Sequence, residues 1–405
     1  MKEPITELPR LQPEPVPMAD LAATQEEKVA PEAGTAAVAT GEDVLSQHIQ
    51  AMGSRIDDSI GAAEIRLSID ADSGDGHFQS FISELPNKDG FIDFSQFQRV
   101  GHGGTHDVFI YPRNPSFVIK LNRGALEKAL SVGQSELPPE MRRVAEQYTD
   151  SANGNNEELY KYFGQQHCLR EKASIQKINV EHGGVIRNIE GIITIQEASD
   201  VFKDPTKKDY STGYAEQNPA QNPALHEYKE AYDRMNRALL SNEEFSESDV
   251  LTFNDKLKSI FDLVDQDTDF ANSMREFLLR FKKYFEASGK FIDLVGQENI
   301  IFHQKNGQWT FQIGSVTKGE NKQVMEQALS MLEESPETLN QNQKIKNQLM
   351  NQLALIRLLN ATGLKVGIGK IIDVQLSEKQ FTNIDKINFA TIVGADGFEP
   401  STPAL

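Results

Sequence analysis

Cysteine, positive charge and long apolar runs are all scarce in this chain, and each scarcity closes off a class of function. The one cysteine, Cys168, has no partner for an intrachain disulfide and cannot build a cysteine-based zinc site, so a reducing compartment and a buried core thiol are expected. Lys and Arg number 41 against 60 Asp and Glu, a formal charge of −19 that repels a phosphate backbone and argues against nucleic acid as a partner. No window reaches the ~18 continuous apolar residues of a membrane span. The N-terminus also lacks the basic-then-apolar order of a secretory leader, so a cytoplasmic protein without a membrane partner is expected. Gly-x-Ser-x-Gly and His-Glu-x-x-His are missing, and Gly367-Ile-Gly-Lys370 lacks the spacing and the hydroxyl of a Walker loop.

What the chain does have is enough apolar residue, 38% of 405, to bury the core of one large domain or two lobes with tails. Residues 1–41 are rich in Pro, Glu, Ala and Thr and read as a disordered tail. Residues 42–93 form a lead-in, with helical spacing at Val44, Leu45, Ile49, Met52 and Ile56 over residues 42–68. Asp89, Gly90, Ile92 and Asp93 imitate the centre of a calcium loop, but Leu85 and Gln96 stand at its two ends, so a turn is expected instead.

Residues 94–198 read as a sheet-rich segment. It opens with a hairpin whose glycines, Gly101, Gly103 and Gly104, lie at one turn and whose returning strand carries Val118-Ile119-Lys120. Helices are expected at residues 138–149 and 156–163, then strands at 167–178, 184–189 and 191–196. A polar connector covers residues 199–223, and helical spacing follows over 228–240, 250–263 and 270–285. A second hairpin at residues 300–313 and helices at 322–333 and 341–360 complete a helical segment, residues 224–360, before an extension and tail, 361–405.

A glycine turn lets backbone N–H groups approach phosphate oxygens, and a lysine on the returning strand meets them as a point charge. Asp293 and Asn299 follow a helix and precede the second hairpin, offering a carboxylate for a hydroxyl proton and an oxygen for magnesium. His102 and His106 sit in a turn with no third ligand evident, so solvated loop histidines are expected there.

With these parts in this order, residues 94–360 resemble the protein kinase-like superfamily, which includes eukaryotic-type kinases and aminoglycoside phosphotransferases, in an atypical bacterial form. The resemblance implies an α+β, two-lobed protein kinase-like fold: a small antiparallel-sheet N-lobe, a mainly helical C-lobe, and ATP and Mg2+ as cofactors. It makes Gly101, Gly103, Gly104 and Val108 the phosphate-covering loop and its strand, and Lys120 the phosphate-pairing lysine. Residues 191–198 become the hinge strand, Asp293 the catalytic base and Asn299 a magnesium ligand. Glu158 is the expected helical partner of Lys120, with Glu140 its rival.

The pattern also departs from the family. His106 stands at the third glycine, the Asp293–Asn299 interval is one residue too long, and Gly314 occupies the place of the metal-holding Asp of Asp-Phe-Gly. Two outcomes follow. Glu298 or Gln312 supplies the missing oxygen and an atypical phosphotransferase acts on an unknown acceptor; or the chain is a pseudokinase, an interaction or regulatory module for a protein partner.

Overall fold

The computed structural model describes residues 41–102, 106–132, 135–182, 184–210, 251, 257–292, 294, 298–314, 321–374 and 376–384. The expected terminal tails, most of the polar connector and the helix expected over residues 228–240 lie outside them. The chain divides into two units, Met1–Ser46 and Gln47–Leu405. Of the first, only the opening of helix α1 (Gly41–Glu84) is described. The second holds an α+β arrangement of two sheets and the other helices. Among the described residues no helix is long and apolar enough to cross a membrane.

The larger sheet contains β1 (Asn87–Lys88), β2 (Phe91–Asp93), β3 (Gln98–His102), β4 (His106–Tyr111), β5 (Asn114–Asn122), β6 (Glu171–His182) and β7 (Val185–Glu197). Their order is β1-β2-β6-β7-β5-β4-β3. The expectation of a small antiparallel sheet is corrected in one respect: β2 runs parallel to β6, so the sheet is mixed. That pair exists because the calcium-loop look-alike is a hairpin. Asn87 accepts a hydrogen bond from the Gly90 N–H at 3.0 Å, and the returning strand lies beside Ile178 and Asn179.

Alternation sends Phe117, Ile119, Leu121, Ile193 and Ile195 to one face of the sheet, where they bury against Phe78 and Phe81 near the end of α1 and Leu85 just after it. This apolar continuation, at three- and four-residue spacing, is why α1 runs past residue 68. Its Phe81 ring sits 4.4 Å from that of Phe117.

Helices α2 (Arg123–Val132) and α3 (Pro139–Phe163) separate β5 from β6. The two helices expected over residues 138–163 are one, because Ala152 in the polar stretch between them and Asn156 at the start of the second are buried. Asn153 donates to the Ala173 carbonyl at 3.0 Å and accepts from the Ala173 N–H at 2.9 Å, so its amide docks the helix on β6.

A second core gathers α4 (Leu257–Gln266), α5 (Thr268–Ser288), α6 (Lys322–Glu334), α7 (Pro336–Gln341), α8 (Gln343–Lys365) and the smaller sheet. That sheet is β8 (Lys208–Asp209), β9 (Ile300–Lys305) and β10 (Gln308–Ile313), in the order β10-β9-β8, and α9 (Glu378–Ile384) follows the last long helix. Phe277 on α5 is the centre of this core. Its ring lies within 6.5 Å of those of Phe163, Tyr210, Phe281, Phe302 and Phe311. Asp267 caps α5, accepting from the N–H groups of Asp269 and Phe270 at 3.0 and 3.1 Å and from the Trp309 indole at 2.7 Å. Gly289, at φ +66°, closes the helix in the left-handed conformation that a side chain disfavours.

Phe277→Ala is expected to cost about 3–5 kcal/mol of unfolding free energy by chemical denaturation, since truncation opens a void among fully buried rings. Removing the cap in Asp267→Ala should cost about 1 kcal/mol at neutral pH. The backbone N–H of Phe270, the Trp309 indole and the Asp269 N–H hold the Asp267 carboxyl below its usual range, outweighing the opposing effect of burial. Its contribution is therefore complete above the ordinary carboxylate pKa and fades as pH falls through the lowered value. Denaturation midpoints of the two chains should converge in acid.

Candidate functional site

Directly opposed residues share a sheet face, so the strand register assembles the site. Gly101 pairs with Val108, Val108 with Lys120, Lys120 with Thr194 and Thr194 with Ala173, forming one row on the face opposite the α1 contact. The next row is Ile110, Val118, Gln196 and Glu171. Gly101, Val108 and Lys120, singled out in the sequence, thus stand in line. Gly103 and Gly104 lie outside the described residues.

Lys120 does not meet either glutamate expected for it. Its Nζ lies 3.3 Å from Oε2 of Glu171, the first residue of β6. Glu158 pairs instead with Lys290, just beyond α5, which also donates to Asn155 at 2.9 Å. Glu140 is exposed in the first turn of α3. From α3 it is Asn156 that reaches this pair, its amide donating to Glu171 Oε1 at 3.3 Å.

Glu171 is held from several sides. Its N–H donates to the Tyr160 hydroxyl at 3.0 Å, and that hydroxyl donates to the Leu169 carbonyl at 3.3 Å. Burial pushes the Tyr160 phenol far above its ordinary pKa, so it stays a neutral donor. The Gln196 amide donates to Glu171 Oε2 at 3.3 Å and to the Gly314 carbonyl at 3.0 Å, joining the larger sheet to the end of β10.

Gly314 itself leaves no room for a side chain. Its N–H donates to the Asn299 carbonyl at 2.8 Å, and a Cβ there would meet the Glu298 carbonyl oxygen at 2.9 Å and the Phe202 ring at 3.4 Å. Both residues named as alternative oxygen donors already have partners. Glu298 is engaged by Lys207, and Gln312 accepts from the Ser199 hydroxyl at 2.9 Å. Asn299 is half-buried beside them. Asp293 lies outside the described residues, between Ile292 and Leu294, both fully buried. Among the described residues no three His, Cys, Asp or Glu side chains converge as a metal site.

Cys168 is buried, as its solitude suggested, and burial pushes its thiol well above the ordinary range. It forms a parallel bridge with Ile313, so its place is in the joint between β10 and the loop after α3. Glu171, Asn156 and Gln196 escaped the sequence reading. Only the pairing of Glu171 with Gln196 and of Lys120 with Thr194 reveals that they share a face.

Gly314→Ala should lower stability by about 1–3 kcal/mol, because the added methyl meets backbone rather than a side chain able to turn away. Gly314→Asp is expected to be no more stable and to gain no magnesium-dependent shift in its melting temperature. Searches with the chain against protein-family models, curated proteins and solved structures find no match.

Proposed function

We propose that the chain is a kinase-like, nucleotide-binding protein whose phosphoryl-transfer apparatus is incomplete, a pseudokinase that serves an interaction or regulatory role. The observation that carries this reading is the combination of a strand-borne, half-buried lysine with a glycine fixed where a metal-holding carboxylate is required. The strand succession β3-β4-β5-β7-β6, with α2 and α3 inserted after the lysine strand, supports a two-lobed kinase-like arrangement.

Val108, Ile110 and Val118 keep part of their apolar surface open on the face of Lys120. Apolar walls beside one cation suit a planar base and its phosphates. In this reading Lys120 binds and orients a phosphate of ATP. Magnesium fits poorly. Asn299 offers one neutral oxygen, while Gly314 offers no carboxylate and Glu298 and Gln312 are engaged elsewhere. Without an anionic ligand the ion would lose most of its hold between the phosphates.

Thermal unfolding with ATP or ADP, with and without magnesium, tests the reading. Saturating ATP, at about 100 times its Kd, should stabilise the fold by about 2.7 kcal/mol. The shift should persist without magnesium and vanish in Lys120→Ala. No shift with any nucleotide sinks the nucleotide reading. Phosphate transfer that disappears in Asp293→Ala would instead make the chain an active enzyme.

A further inference from the structure

We infer that Glu171 is the positioning residue for Lys120, so that in this chain the lysine's counter-charge is carried by a strand rather than a helix. The inference deepens the nucleotide-binding reading and rests on it for the ligand, but the lysine–glutamate assignment stands on geometry alone.

Three observations converge. The Lys120–Glu171 pair is substantially shielded, with side-chain exposures of 18% and 14%, and each carboxylate oxygen has its own partners. Oε2 receives Lys120 and the Gln196 amide, and Oε1 receives the Asn156 amide. The α3 side chain that reaches the Glu171 carboxylate is Asn156, a neutral residue only 4% exposed. Glu158, the helical glutamate to which the role of lysine partner fell in the sequence, is committed to Lys290.

The consequence concerns control. A carboxylate on a helix meets its lysine only when the helix is docked, so helix movement makes and breaks the pair. Glu171 belongs to the sheet that carries Lys120, two strands away through β7, and its backbone is paired with Gln196. Its position relative to the lysine is therefore set by strand register. Asn156 and Tyr160 of α3 brace the glutamate from the other side, so sheet and helix together hold Lys120 in one orientation, which equips the site to bind an anionic ligand.

The assignment is tested without mutation by zero-length carbodiimide coupling of the native full-length chain, read by peptide mass spectrometry. The activated Glu171 carboxylate should form an amide with the Lys120 amine, with net loss of one water. The Lys290–Glu158 link serves as the internal control. A Lys120–Glu158 link, or no Lys120–Glu171 link where the control link forms, overturns the inference.

A second measurement reads function. Acylation of Lys120 at one fixed pH should be several-fold faster in Glu171→Gln and return to the wild-type rate in Glu171→Gln/Asn156→Glu, which puts the carboxylate back on the helix. ATP affinity should fall several-fold in the single variant and recover in the double one. Equal labelling of wild type and Glu171→Gln overturns the inference. If coupling and labelling behave as expected while the wild-type chain binds no nucleotide, the nucleotide reading fails and the Lys120–Glu171 assignment survives.

Discussion

At the end of strand β10 two backbones approach so closely that only glycine fits, and the relation between the two sheets depends on that approach. Gly314 donates to the Asn299 carbonyl and accepts from the Gln196 amide, while the preceding Ile313 carbonyl accepts from the Leu169 N–H at 3.2 Å. The joint therefore consists of short, directional bonds between β10 on one side and the start of β6 and end of β7 on the other. A primary amide has two protons to give, and Gln196 gives one to Glu171 and the other to Gly314. Replacing Gly314 by any larger residue would press on the Glu298 carbonyl and disturb the same amide that steadies the lysine's partner. The absence of a carboxylate at this position is thus a requirement of the packing here.

Much of the fold was legible because alternation and helical spacing are local. The β4–β5 hairpin, the β9–β10 hairpin and the helices over residues 268–288 and 322–334 follow from their apolar periods. Helix α3 was harder to read. Ser151-Ala-Asn-Gly-Asn-Asn-Glu157 looks like a break, yet Asn153 and Asn156 use their amides to dock on β6, and that tertiary pairing overrides the weak local propensity. The site was legible only where its residues are close in sequence. Gly101, Val108 and Lys120 belong to one meander, so their alignment could be read, whereas Glu171 and Gln196 reach Lys120 through a register fixed by strands more than 50 and 70 positions away.

The way α3 is attached bears on how the site works. Asn153 and Tyr160 fasten it to the β6 backbone, Asn156 to the Glu171 carboxylate, and Glu158 to Lys290 just beyond α5. The loop after α3 adds His167, whose ring stacks on Phe311 at 4.0 Å and whose Nδ1 lies 3.0 Å from the Phe311 carbonyl. Its Nε2 lies 3.6 Å from Glu276 on α5. Burial alone would raise the Glu276 carboxyl, but His167 and Arg280 together hold it below its usual range, so the buried charge is retained and paired.

Helix α1 supplies a further tie. Near its start Asp57 and the Gly53 carbonyl meet Lys283, and Ser59 accepts from Arg280 at 3.4 Å. Near its end Phe78 and Phe81 pack on Phe117, and Glu84 accepts from Asn114 at 3.0 Å. One helix thus touches α5 and the larger sheet. Turnover in enzymes that close over a nucleotide requires opening for release. Here an opening motion would have to break the Gln196–Gly314 bond, the α3 contacts and one end of α1 together. Individually these bonds are modest, but their joint loss is cooperative and opposes repeated opening. These ties make the two sheets and α5 one connected framework, within which the strand-borne Glu171 keeps a fixed place beside Lys120.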